Sequence, residues 1–336
     1  MNRFVQKLAS GMRTATLSLI AAGALVVTTT AGAQAEPLRV GYLKFVTFGG
    51  IAVADMKGWF EDAGLDVELV LFDSGPPLLE AMASGSLDLG ALGGVPTIRT
   101  ASQEVFPFKV LSVVADVSSS LKIVATSEIE TMQDLRGKTI SLPYGTTQHL
   151  VFAKALEQSG MSVEDTEMVP MESIDGQAAF VAGRLDATIP VPASLDQVLA
   201  ARADSHVLFE NSDFDPPVRV FDVWIAPDTA MDERAEDIAR TLEIWHDQVV
   251  PYLAQGNLDE LQTWVNKVLG TKSDKAEIQE KLDNLTRFDG AEMSELASSG
   301  EFRRILTDQA AFMANVGIIP KVPDFDVYLD TSAISD

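Results

Sequence analysis

The segment DSGPPLLEAMASGSLDLGALGGVPTI, residues 73–98, constrains the fold more than any other stretch of this chain. It sets turn chemistry against apolar runs in quick succession. Asp73-Ser74-Gly75-Pro76-Pro77 reads as a turn, Leu78–Ala83 as a short amphipathic helix, and Gly85 as a stop. Leu87–Leu92 then reads as an apolar strand, and Gly93-Gly94-Val95-Pro96 as a tight passage into the next helix. Glycine at a strand's end lets the backbone approach another group closely, and proline suits the first turn of a helix. Strand, glycine turn and helix N-terminus in that order present bare amides, an arrangement that holds an anion. No nucleophile, metal ligand or phosphate-loop lysine lies in the segment, so its chemistry is that of binding.

The same alternation runs along most of the chain. Strands are expected at Leu38–Tyr42, Val67–Phe72, Leu87–Leu92 and Phe108–Val114, with helices at Ile51–Ala63, Leu78–Ser84 and Val95–Ser102 between them. A second round follows, with strands at Leu121–Thr126, Lys138–Leu142, Glu167–Val169, Asp186–Ile189 and His206–Leu208. Its helices are expected at Gln148–Ser159, Gly176–Ala182 and Ser194–Ala201. Repeated β-α-β units predict an α/β fold of mostly parallel sheets flanked by helices. After an extended run Val218–Ala226 the chain turns to long helices: Glu233–Ala254, Leu258–Val268, Lys275–Leu282 and Ser294–Val316.

The N-terminus carries Arg3, Lys7 and Arg13 ahead of the apolar run Leu17–Val27, then Ala33-Gln34-Ala35. Charge, length and order predict a cleavable signal peptide over residues 1–35 and export to the periplasm. The apolar run is shorter than the ~20 residues that a membrane span needs. Cleavage leaves 301 of 336 residues, enough for two lobes. One lobe is expected from 36–115 with 222–336, and the other, 116–221, is inserted into it. Two crossings, near Asp116 and Val220, would form a hinge, with a cleft lined by the loops after the strands.

The chain has 49 acidic and 25 basic residues, a net charge of −24, and loss of the leader's three cations takes it to −27. Such a surface repels nucleic acid and anionic lipid. There is no cysteine, hence no lipid-anchor thiol and no disulfide. His149, His206 and His246 are isolated from one another in sequence, and no nucleophile elbow or phosphate loop occurs. No catalytic residue, cofactor or metal is expected.

Five segments in order carry a resemblance: Gly41–Phe45; Gly75–Ala101; Leu135-Arg136-Gly137-Lys138-Thr139-Ile140; Thr146-Thr147-Gln148-His149; and Phe221-Asp222-Val223-Trp224. Together they resemble the solute-binding proteins of ABC importers for taurine and alkanesulfonates, within the nitrate, sulfonate and thiamine-precursor group. The resemblance spans about Leu38 to Asp228. It implies the two-lobed, type II periplasmic binding fold and a monomer that hands its ligand to a membrane permease driven by a separate ATPase. The chain departs from the pattern at Pro190-Val191-Pro192, where many relatives carry Trp-Glu-Pro.

Candidate ligand contacts follow from residue chemistry together with this likeness. Gly94 and Val95 offer amides from one lobe; Thr146, Thr147 and Gln148 offer hydroxyls and amides at a helix start in the other. Asp222, alone in an apolar strand, would pair an ammonium group, and Trp224 or Tyr42 would cover a short alkyl part or face the cation. Lys44 adds a positive charge in the first loop, with Thr47 and His149 as further polar contacts. The ligand expected is a small organosulfonate such as taurine; a plain alkanesulfonate, aromatic sulfonate, sulfate ester or carboxylate is the alternative.

Overall fold

Ten strands pair into two five-stranded sheets in the computed structural model, which describes residues 36–334; the expected leader lies outside them. The chain lays down β1 (Leu38–Leu43), β2 (Val67–Phe72), β3 (Leu89–Gly93) and β4 (Phe108–Asp116). It then crosses to β5 (Ile123–Thr126), β6 (Thr139–Leu142), β7 (Glu167–Pro170), β8 (Ala187–Thr188) and β9 (Ser205–Phe209), and returns as β10 (Phe221–Pro227). The sheet orders are β2-β1-β3-β10-β4 and β7-β6-β8-β5-β9. In the first sheet β10 alone pairs antiparallel with its neighbours, and in the second β5 alone does. Each sheet is therefore mixed, with two parallel and two antiparallel pairings and its one reversed strand next to a crossing.

Strands covered on both faces read as near-continuous apolar runs. β3 and β10 are buried at every position, and Asp222 is the only ionisable side chain in either. Helices flank both sheets. Two expected long helices are broken by glycines that take left-handed backbone: Gly58 (φ 73°) divides Gly49–Met56 from Trp59–Asp62, and Gly300 (φ 74°) divides Gly290–Ser298 from Glu301–Asn315. Gly75-Pro76-Pro77, expected as a turn, instead opens the helix Gly75–Ala83, because proline is tolerated in a first turn. The tail helix expected from Glu233 begins at Asp228 and runs through a π-helical turn at Ile244–Val249. That turn aims His246 inward, where its ring nitrogens lie 2.5 Å from Ser112 Oγ and 2.6 Å from the Phe288 carbonyl oxygen.

The two crossings are tied together. Val117 N–H donates to Val220 O at 2.8 Å. The Asp116 carboxylate accepts from Ser118 N–H (3.1 Å), Ser118 Oγ (2.5 Å), Val220 N–H (3.4 Å) and Arg219 Nε (2.9 Å). Arg219 in turn donates to Glu301 at 3.0 Å. Backbone hydrogen bonds between Asp116 and Thr286, 2.7 and 3.0 Å, add the segment around residue 286 to the outer edge of β4.

Candidate functional site

Strand register assembles the site from distant parts of the chain. β10 sets Asp222 opposite Gly93 of β3 and opposite Ala115 of β4. An isolated antiparallel bridge sets Thr286 opposite Asp116 at the outer edge of β4. Directly opposed residues share a face. Gly93, Asp222 and Ala115 therefore make a row across one end of the first sheet, with a small residue on each side of Asp222. One step deeper on the same face, Tyr42 and Trp224 both stand opposite Ala91.

Asp222 is the electrostatic centre of this row. It is 8% exposed, and among the described residues its carboxylate has neither a hydrogen-bond partner nor an ion pair. Burial, and secondarily the charge of Asp116, push its pKa up to about 7. A largely buried carboxylate without a donor is costly, so the fold carries a charge here that its own groups do not neutralise.

Donors from the other sheet face the row. The helix Thr147–Gln158 begins beside Gly93: a Cβ built on Gly93 would lie 3.4 Å from Thr147 Oγ1. Thr146, the N-cap residue, makes no side-chain cap; its hydroxyl donates to Pro143 O at 2.8 Å instead. No side-chain cap therefore covers the first-turn amides of this helix. Across from it, the helix Gly94–Ser102 starts at a glycine that packing demands, because a Cβ on Gly94 would collide with the Phe221 carbonyl oxygen.

The structure gives the remaining sequence candidates different surroundings. Val95 is fully buried, leaving only its backbone for a ligand. Gln148 spends both ends of its amide inside its own half, Nε2 donating to Ile189 O (2.8 Å) and Oε1 accepting from Ser173 Oγ (3.0 Å). His149 accepts from Gly145 N–H at 3.1 Å through Nδ1; burial first, then the charge of Arg99, bring its pKa down to about 4. Lys44 is ion-paired with exposed Asp73. Thr47 is buried in the short helix Val46–Phe48. The Tyr42 hydroxyl accepts from Trp264 Nε1 at 3.3 Å, and Trp224 packs edge-on against Trp245 with ring centres 5.8 Å apart. Both rings thus belong to the bed of the sheet.

Two partly buried arginines were not among the candidates read from sequence. Arg99, from the helix Gly94–Ser102, reaches across to the loop before Thr147. There its guanidinium carbon lies 5.8 Å from the Tyr144 ring centre, and its Nη1 is 2.9 Å from where a Cβ on Gly145 (φ 72°) would stand. Arg287 lies in the tail region that sequence reading left as generic helices. No local pattern marks Arg287, since its place depends on a bridge to a strand 170 residues earlier.

The family model described as NMT1/THI5 like matches residues 46–247, well over half of the chain. The chain belongs to this family. The taurine-binding periplasmic protein of Escherichia coli (strain K12) is 26% identical over 318 residues, covering 88% of this chain and 92% of that protein. The crystal structure of the periplasmic aliphatic sulphonate binding protein from Escherichia coli superposes with a TM-score of 0.70 at 22% identity, over 87% of this chain and 91% of that one. A desulfurization enzyme shares the fold as well, with a TM-score of 0.64 at 12% identity over 88% and 97% of the two chains. One fold thus serves both binding proteins and an enzyme, and the site rather than the architecture separates them.

Proposed function

We propose that this protein is the solute-binding component of an ABC importer and captures a small aminosulfonate such as taurine between its two halves. The observation that carries this reading is Asp222: a largely buried carboxylate without a donor, flanked by Gly93 and Ala115 and faced by the start of the helix Thr147–Gln158. An ammonium group supplies the missing partner. The sulfonate then meets the amides at Gly94–Val95 and Thr147, with the Thr147 hydroxyl and the two helix dipoles adding to the attraction. The names of the taurine- and sulfonate-binding relatives point the same way.

Residues 36–115 with 222–336 act as one lobe and 116–221 as the other, swinging about the paired crossings at Val117 and Val220. Closing the cleft excludes water and strengthens each polar contact. The ligand leaves chemically unchanged, the protein acts as a monomer in the periplasm after removal of residues 1–35, and a permease with a separate ATPase receives the ligand.

Calorimetric titration of the ligand-stripped protein tests this. Taurine should bind at least ten-fold more tightly than ethanesulfonate, which lacks the ammonium group, and Asp222→Asn should erase that difference. Equal affinity for both ligands in the wild type removes the ammonium–Asp222 pairing.

A further inference from the structure

The helix Thr147–Gln158 meets the other half of the molecule at more than its ligand-facing end. Thr147 opens it beside Gly93, and Lys154 follows seven residues later. Seven residues make close to two turns, so Thr147 and Lys154 lie on one face, roughly 10 Å apart along the axis. The Lys154 Nζ stands 4.0 Å from the centre of the Phe312 ring, which belongs to the tail helix Glu301–Asn315. That helix is fixed to the first-sheet half. Phe302 packs against Phe221 of β10 with ring centres 5.7 Å apart, and Gln309 Nε2 donates to Arg219 O at 2.7 Å.

The loop leading into the helix crosses the same gap. The Tyr144 ring lies under the Arg99 guanidinium, and its hydroxyl is 3.5 Å from the carbonyl oxygen of Gly317, just past the tail helix. Two cations thus cross between the halves in opposite directions, Arg99 from the first and Lys154 from the second, and each ends on an aromatic ring. Among the described residues neither has a carboxylate oxygen within 4 Å, although the chain has 49 acidic against 25 basic residues. Lys154 is partly buried, and burial pulls its pKa down against the opposing charges of Glu157 and Asp308. A cation drawn out of water over a ring is held more strongly than one on an open surface.

We propose that Lys154 is a positioning residue for ligand capture: its contact with Phe312 is a clasp, away from the ligand, that holds the helix Thr147–Gln158 and its donors against Gly93 in the closed state. This rests on the aminosulfonate capture read above. Separating the halves would part Lys154 from the ring and return its ammonium to water, so the clasp acts on closure rather than through contact with the ligand. Apparent affinity scales with the population of the closed state, and a contact made only there strengthens every ligand by one factor. For a cation on a ring that factor is about two- to thirty-fold.

Calorimetric titrations with taurine and with ethanesulfonate test it on ligand-stripped wild type, Lys154→Gln, Lys154→Arg, Phe312→Leu and the Lys154→Gln, Phe312→Leu double variant. Lys154→Gln should weaken both ligands by the same factor, in the range above, and leave the Tm of the ligand-free protein unchanged. Lys154→Arg, which keeps a cation over the ring, should bind as wild type does. On a Phe312→Leu background Lys154→Gln should have almost no further effect. Phe312→Leu alone should weaken both ligands equally, and it carries the test if Lys154→Gln does not fold. Unchanged affinities in both single variants overturn the inference. A fall in the ligand-free Tm of Lys154→Gln also overturns it, because the contact would then be a fixed part of the fold. Unequal weakening of the two ligands does the same, since Lys154 would then touch the ligand, as does a full effect of Lys154→Gln without the Phe312 ring. Wild type that binds neither sulfonate refutes the aminosulfonate reading, and this inference with it.

Discussion

Replacing Asp222 with asparagine should disable the site and yet stabilise the ligand-free protein at neutral pH. In an unfolded chain an aspartate titrates near 3.9, whereas in the fold Asp222 is pushed up to about 7. The folded state thus binds this proton more tightly than the unfolded state does. Between about pH 4 and pH 7 the folded protein keeps a proton that the unfolded chain has lost, so stability falls as pH rises through that window. A shift of roughly three pKa units at 1.36 kcal/mol each amounts to roughly 4 kcal/mol at pH 8. Asparagine is neutral throughout but leaves its own amide unpaired, which takes back about 1 kcal/mol or more. The net effect of Asp222→Asn should run from a loss of about 1 kcal/mol near pH 4 to a gain of about 2–3 kcal/mol at pH 8. For a domain of this size that is a rise in Tm of roughly 4–8 °C. Thermal unfolding of both ligand-stripped proteins, followed by circular dichroism from pH 4 to 8, measures it. A gap in Tm that does not change with pH, or an asparagine variant less stable than wild type at pH 8, would refute the picture of an uncompensated carboxylate.

Two further substitutions probe the supports of the site. Asp116→Asn should cost about 1–3 kcal/mol by weakening the charged contacts that tie Arg219 and both crossings together. It should also flatten the pH dependence described for Asp222, since the like charge of Asp116 contributes to that shift; repeating the pH series on the variant reads both effects. Gly94→Ala places a methyl against the Phe221 carbonyl at the start of β10, next to Asp222. It should lower stability by about 2–3 kcal/mol and weaken taurine at least ten-fold, checked by unfolding and titration; wild-type behaviour in both would show that the close approach is dispensable.

The order of elements was legible in the sequence because each strand and helix is a local pattern bounded by glycine, proline or a cap. Its errors also have local causes. Ile51–Ala63 and Ser294–Val316 keep helical periodicity through Gly58 and Gly300, and periodicity cannot tell that the backbone turns left-handed there. Parts of the site were equally legible. Asp222 stood out as a charge in an apolar strand, and Gly94 and Thr147 as donors at helix starts, because strand ends and helix N-termini are visible in one segment at a time. What local pattern could not supply was the occupancy of each side chain. Gln148 and Trp224 had the right chemistry, but Ile189, Ser173 and Trp245 engage them, and those partners come from elsewhere in the chain.

Arg287 shows the same limit from the other side. Nothing within ten residues of it distinguishes it from a surface arginine on an acidic helical tail. Its surroundings come from contacts far apart in sequence: the Asp116–Thr286 bridge, which lays the tail against the edge of β4, and the contact of His246 with the Phe288 carbonyl. That bridge uses the same aspartate whose side chain ties the two crossings and whose charge raises Asp222. One residue thus ties the two crossings together and adds its charge to the burial that raises the proton affinity of Asp222. An ammonium group bound at Asp222 would offset the charge that Asp116 presses upon, so ligand and hinge are coupled through Asp116 by charge. The cost of keeping Asp222 without a donor is what a cationic ligand recovers on binding, which is why a stable fold can hold such a carboxylate at the end of an apolar strand.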